Sequence, residues 1–394
     1  RRSFVVDAPG AQRLRVRVAG DSRYLFFCNG DLVGRGPAKG DVNHHFYETF
    51  DLTSRLRAGT NVLAALVLDM SRVAHRPALL GAPCSVMTYA GGFVLEGELT
   101  ATAGGTAIEL STDANWKVAV DQAHRFQNEG TTFEGYQGYF EHHVSRLLPR
   151  GWARVEFDDS SWAAATVLYR AERLENRRDP ASPYGLVSRL IPMLEEARIE
   201  DFPEVFAPGG AAAAGTLGES IPAHTTTEVI FDAGELTTGF PLLETIGGAG
   251  AKVTLTYAEA LRLPWETPGA KLLGRRQSLA NLASHFADES TGWTFDRRGK
   301  ITGWCDVWEP AGEAGGERFE PLHWRAFRYV GLRIETGAAP LRVVSLRYRF
   351  TAYPYRLSGE FACSDPALEK IWSVALRTMR LCSHETFEDC PYYE

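Results

Sequence analysis

Four carboxylates crowd the last ten residues of the sequence: Glu385, Glu388, Asp389 and Glu394, with Tyr392 and Tyr393 between the last two acids. Those types at that spacing suit work on a sugar. Aromatic faces hold the C–H surface of a pyranose, an ionised acid accepts hydrogen bonds from hydroxyls, and a protonated one serves a leaving glycosidic oxygen. Crowding like charges also raises the proton affinity of some of them, which a general acid requires. The same residues read equally as a solvated acidic loop, and physics alone favours that plainer reading.

Other chemistry-bearing groups point to less. The pairs His44-His45 and His142-His143 each sit in a strand-like run, where neighbours face opposite ways, so neither pair chelates a metal by itself, and surface or edge positions are expected. His384 with Cys382 and Cys390 lacks the second cluster of a closed zinc site. No Ser-His-Asp constellation or nucleophile elbow is present. No metal and no cofactor is therefore expected. Tyr136, Tyr139 and Trp265 are candidate sugar platforms, with core packing as their ordinary alternative.

The elements that must position these residues are mostly strands. Arg13 to Val18 alternates polar and apolar residues, and Tyr24 to Cys28 is parted from Leu32-Val33-Gly34 by Asn29-Gly30, the signature of a type I′ hairpin. His45 to Phe50, Val62 to Leu68, Phe93 to Leu99 and Ala107 to Leu110 continue the pattern. Short strands with regular turns indicate an antiparallel sandwich or jelly roll. The turns before Trp116 and Trp162 pin a tryptophan onto such a sandwich. Arg170 to Pro183 reads as a linker, and Pro208 to Gly215 as a low-complexity loop.

A second set of strands follows at Glu228 to Asp232, Leu242 to Ile246, Val253 to Tyr257, Phe327 to Ile334 and Leu341 to Tyr348. The turn Gly247-Gly248-Ala249-Gly250 leads into a strand, which rules it out as a phosphate cradle at a helix start. The character changes after Tyr355. Ser364-Asp365-Pro366 supplies a cap and a first-turn proline, and Leu368, Ile371, Trp372, Ala375, Leu376 and Met379 form one apolar face of a helix to about Leu381. Such a stripe must bury against something. Together with the absent initiator Met and the abrupt end on the acids, it suggests a piece of a longer protein.

Composition excludes several classes. With 394 residues, two or three domains are expected. Net charge is −7 and the basic residues are scattered, which speaks against nucleic acid and anionic membranes as partners. No run of apolar residues is long enough to span a bilayer. The six cysteines are spread thinly and read as free thiols, a lean towards a reducing, cytoplasmic compartment.

At DCPYYE the sequence resembles the bacterial α-L-rhamnosidases of glycoside hydrolase family 78, inverting six-hairpin glycosidases. The likeness extends over nearly the whole chain. SRYLFFCNGDLVGRGPAKGD through YETFDLTSRLRAGTNVLAALV is similar to the family's N-terminal sandwich, with STDANWKV and FDDSSW as later landmarks. FDAGELTTGFPLLETIGGAGAKVTLTYAEAL and FRYVGL resemble its second sandwich, and FACSDPALEKIWSVALRTM its first barrel helix. The resemblance implies a mainly β chain: two antiparallel, jelly-roll-like β-sandwich domains at 1–170 and 171–357, then the beginning of an (α/α)6 barrel at 358–394. It implies that Asp389 binds sugar hydroxyls and that Glu394 is the general acid. Tyr393 departs from the family's usual arginine. The general base and most of the barrel would lie outside this sequence, leaving it inactive alone. The implied partner is a rhamnose-containing glycoside. The alternative from another class is a non-catalytic carbohydrate-binding or scaffold protein built on the sandwiches.

Overall fold

A computed structural model describes residues 1–41, 44–69, 91–101, 107–126, 140–176, 178, 182–211, 217–264 and 291–392. The chain is mainly β and divides into two compact units, Arg1–Asp121 with Pro149–Ile191, and Gln122–Leu148 with Pro192–Glu394.

In the first unit the alternation read from the sequence becomes two facing sheets. Gln12–Asp21 buries Leu14, Val16 and Val18 while Arg13 and Arg15 face solvent, as the two-residue repeat of a strand demands. It lies between His45–Asp51 and Gly92–Ala101 in a six-stranded sheet. Arg2–Val6, Gly59–Leu68, Arg23–Cys28 and Asp31–Gly36 form the four-stranded sheet. Leu14, Val16, Val18, Leu95 and Leu99 from one sheet meet Phe4, Val6, Tyr24, Phe26 and Leu63 from the other in a single core. Each such side chain contributes about 1.5–3 kcal/mol when fully buried. The expected hairpin is present: Asn29 and Gly30 have φ of 54° and 91°, and Cys28 faces Asp31.

The second unit is built on one eleven-stranded sheet among the described residues. Its backbone is the 22-residue strand Thr226–Gly247, which the sequence pattern splits into two strands. The chain does not leave the sheet between them. It bulges, with the register breaking between Asp232 and Thr237. Gly234 takes a φ of 81° there, and its N–H donates to the Asp232 carboxylate at 2.7 Å. Val229 and Phe231 before the bulge share one core with Leu243 after it, so the sheet packs upon itself.

Two short strands inside the stretch that the pattern assigns to the first sandwich, His124–Phe126 and Glu141–Val144, pair with this second sheet. His124–Phe126 runs antiparallel to Glu141–Val144, which runs parallel to Trp304–Glu309. A buried charge cluster fixes the junction. Asp306 accepts from Arg325 Nε at 2.9 Å and Nη2 at 2.7 Å, from Tyr257 Oη at 2.7 Å and from the Glu141 N–H at 2.7 Å. A four-residue parallel strand carries no local signal of its partner, and this one is selected by tertiary contacts alone.

Candidate active site

The final helix, α1, spans Pro366–Leu381. Asp365 caps it by accepting from the Ala367 N–H at 2.9 Å, Pro366 opens it, and the Cys382 N–H closes it on Thr378 O at 2.9 Å. Polar arms fasten one edge: Arg377 Nη1 reaches Glu235 at 2.8 Å, and the Arg380 guanidinium pairs with Glu195 and lies over the Phe350 ring. The apolar stripe is open among the described residues, with Ile371 61% and Leu368 47% exposed. Only Leu381 at the helix end is buried in the core.

The loop after the helix doubles back on itself. Ser383 and Phe387 form an antiparallel bridge, the His384 N–H donates to Thr386 O at 3.1 Å, and the Glu388 N–H to Cys382 O at 2.9 Å. Tyr353 adds its N–H to Ser383 O at 2.8 Å, and Tyr355 its hydroxyl to Ser383 Oγ at 3.1 Å.

Inside this turn lies a buried dyad. His384 Nδ1 is 2.9 Å from Glu388 Oε2, and both side chains are only 2% exposed. His384 Nε2 is 3.2 Å from Thr351 O, and the imidazole stacks on Trp324 with centroids 3.8 Å apart and planes 12° apart. A carbonyl only accepts, so Nε2 carries a proton. Nδ1 then either donates to a carboxylate from an imidazolium or accepts from a protonated carboxyl. The pair is neutral overall in both forms.

Tyr392 makes the second anchor. Its hydroxyl donates to Tyr257 O at 2.8 Å and accepts from the Trp304 N–H at 3.4 Å. Burial drives the Tyr392 phenol well above the ordinary tyrosine range. A Cβ at Gly303 would lie 1.9 Å from Tyr257 O and 2.5 Å from Tyr392 Oη, so glycine there is what lets the ring in. Glu259, next along from Tyr257-Ala258, sits within electrostatic reach of Tyr392 and Cys382, and burial raises its proton affinity.

Asp389 stands between the two anchors with its side chain exposed. Its backbone carbonyl lies 3.9 Å from Cys382 Sγ. An exposed carboxylate on a pinned backbone can accept hydrogen bonds from a polyol without first ordering its loop. Glu394 and Tyr393 lie outside the described residues, as do Tyr136, Tyr139 and Trp265. Of the four acids singled out in the sequence, Glu388 is therefore internal and paired, not one more charge on a solvated loop.

The two histidine pairs spread as strand geometry requires. His142 bonds Glu309 at 2.8 Å, while His143 stacks on His124 at 4.2 Å. His44 pairs with Asp41 at the surface, but His45 departs from a surface position: it is 7% exposed and packs edge-on to Tyr184. Cys28, Cys305, Cys363, Cys382 and Cys390 form no disulfide with one another, and Cys84 lies outside the described residues. Composition and periodicity gave no sign of Trp324, Thr351 or Trp304. The His-x-x-x-Glu spacing at 384 and 388 is a signal that could have found the dyad, which the sequence reading did not use.

Residues 10–183 match the family described as Alpha-L-rhamnosidase N-terminal domain. A curated relative, the Alpha-L-rhamnosidase of Streptomyces avermitilis, is 24% identical over 95% of this chain, which spans 30% of that protein's length. Two solved structures share the fold. The GH78 family rhamnosidase of Bacillus sp. GL1 superposes over 100% of this chain and 57% of its own, with TM-score 0.67 and 18% identity. The α-L-rhamnosidase of Aspergillus terreus covers 100% of this chain and 38% of its own, with TM-score 0.68 and 19% identity.

Proposed function

We infer that this chain is the N-terminal portion of a family 78 α-L-rhamnosidase of the bacterial kind. The whole protein would remove terminal α-L-rhamnose from glycosides with inversion at the anomeric carbon. What carries the reading is similarity in one order along the chain, from the N-terminal domain match to a curated rhamnosidase matched over 95% of this chain and 30% of its own length. The exposed Asp389 on its pinned loop supports it chemically.

In this reading Asp389 accepts hydrogen bonds from rhamnose hydroxyls, and Glu394 protonates the leaving oxygen. An acid outside this sequence activates water, at the separation of about 6.5–9.5 Å between carboxyls that inversion needs. The two β units, Arg1–Asp121 with Pro149–Ile191 and Gln122–Leu148 with the chain from Pro192, are the scaffold before a six-hairpin (α/α)6 barrel that would begin at 358–394. The stripe of α1 would be covered by the next barrel helices.

Turnover of an aryl α-L-rhamnoside tests the reading. The whole protein should hydrolyse it, and this chain alone should not, because it lacks the base and the groups that position substrate. Robust turnover by the chain alone would contradict this division of labour.

A further inference from the structure

We propose that His384 and Glu388 are positioning residues for Asp389, a role that deepens the rhamnosidase reading and rests on it for the activity concerned. Asp389 has its backbone fixed on both sides. On one side Glu388 is drawn inward to His384 at 2.9 Å, and His384 is clamped between Thr351 O and the Trp324 ring. On the other, three residues on, Tyr392 is locked to Tyr257 O. The sheet thereby sets where the carboxylate of Asp389 points.

The construction of the dyad fits this task. Its shared proton leaves it neutral, so it adds no negative charge beside Asp389 and does not compete with it for substrate hydroxyls. Its burial prevents either side chain from touching a sugar. Glu388 Oε1 is buried with no hydrogen-bond partner among the described residues, where His384 is the side chain that holds the carboxyl. An acid tied to a single internal partner transmits position, and small misplacement of a binding group costs rate steeply.

Three variants of the whole protein test this: His384→Ala, Glu388→Ala and Glu388→Gln. The glutamine amide can donate to Nδ1 while Nε2 still donates to Thr351 O, so it rebuilds the brace without a carboxyl. The first two should lower kcat/KM on an aryl α-L-rhamnoside about 100-fold while the protein remains folded. Glu388→Gln should restore most of what Glu388→Ala loses, with unchanged limbs in the pH–rate profile. In parallel, hydrogen exchange on this chain should show the Glu388 and His384 amides losing protection in His384→Ala.

A His384→Ala protein that keeps both amide protection and kcat/KM would overturn the proposal. So would a Glu388→Gln protein as impaired as Glu388→Ala, since that would assign the carboxyl a chemical role. If the unaltered whole protein does not cleave rhamnosides, the functional reading fails instead. The exchange result then decides alone whether the dyad holds the loop.

Discussion

Glu141 is the acid on which a change of pH should act most visibly. It is fully buried beside Asp306, its carboxyl accepts from the Leu322 N–H at 2.5 Å, and burial followed by the Asp306 charge raises its pKa from 4.5 to about 7. Arg325 and His124 oppose that rise without cancelling it. Between these values the folded protein keeps a proton that the unfolded chain has released. The associated stability is fully present below pH 4.5 and is lost as pH rises towards 7, on the order of 3 kcal/mol. Melting temperatures should fall across that window, and Glu141→Gln should flatten the fall. A wild-type profile that rises from pH 5 to 7 with no change in the variant would refute this. Neither Glu141 nor His384 was legible in the sequence. Both matter through partners far away in the chain, Asp306 and Thr351, that no spacing rule connects. Asp389 could be singled out beforehand because the sequence resembles the α-L-rhamnosidases at its Asp-Cys-Pro run.

The elements differ in the same way. The helix could be read almost to the residue, since its signals are local: Asp365 as cap, Pro366 at the first turn and an apolar repeat. The long strand could not, because Asp232-Ala233-Gly234 looks like a turn and only the neighbouring strands convert it into a bulge. Two predictions belong here. Gly303→Ala should drive Tyr392 off Tyr257 O, costing about 1–3 kcal/mol as overpacking does, and should expose the Cys382–Tyr392 loop to protease. An unchanged melting temperature and cleavage pattern would show that Tyr392 does not anchor the loop. On α1, Ile371→Glu should be neutral within about 0.5 kcal/mol in this chain, where the residue is 61% exposed. In the whole protein the same change should cost several times more, because the barrel would cover that face. Equal costs in both would argue against a helical partner.

At the scale of the molecule, the chain is two β units with a loop of acids pinned to the second. The division of residues 122–148 into that second unit was hidden, since pairing through a four-residue parallel strand leaves no trace in composition. The sandwich character was plain in alternations such as Leu14, Val16 and Val18. The candidate site was half legible: its acids and tyrosines stood out, but the sheet residues that orient them did not. Those residues make the second unit more than a spacer, because the loop that carries Asp389 is held through His384 on Thr351 and Trp324 and through Tyr392 on Tyr257.

The whole protein is proposed to be an inverting rhamnosidase that uses this loop. The most direct measurement follows the anomeric proton by NMR while the whole protein hydrolyses an aryl α-L-rhamnoside, with Asp389→Asn and Glu394→Gln alongside. β-L-rhamnose should be the first product, and turnover should fall at least about 100-fold in both variants. First release of the α anomer, or full activity without either acid, would contradict it.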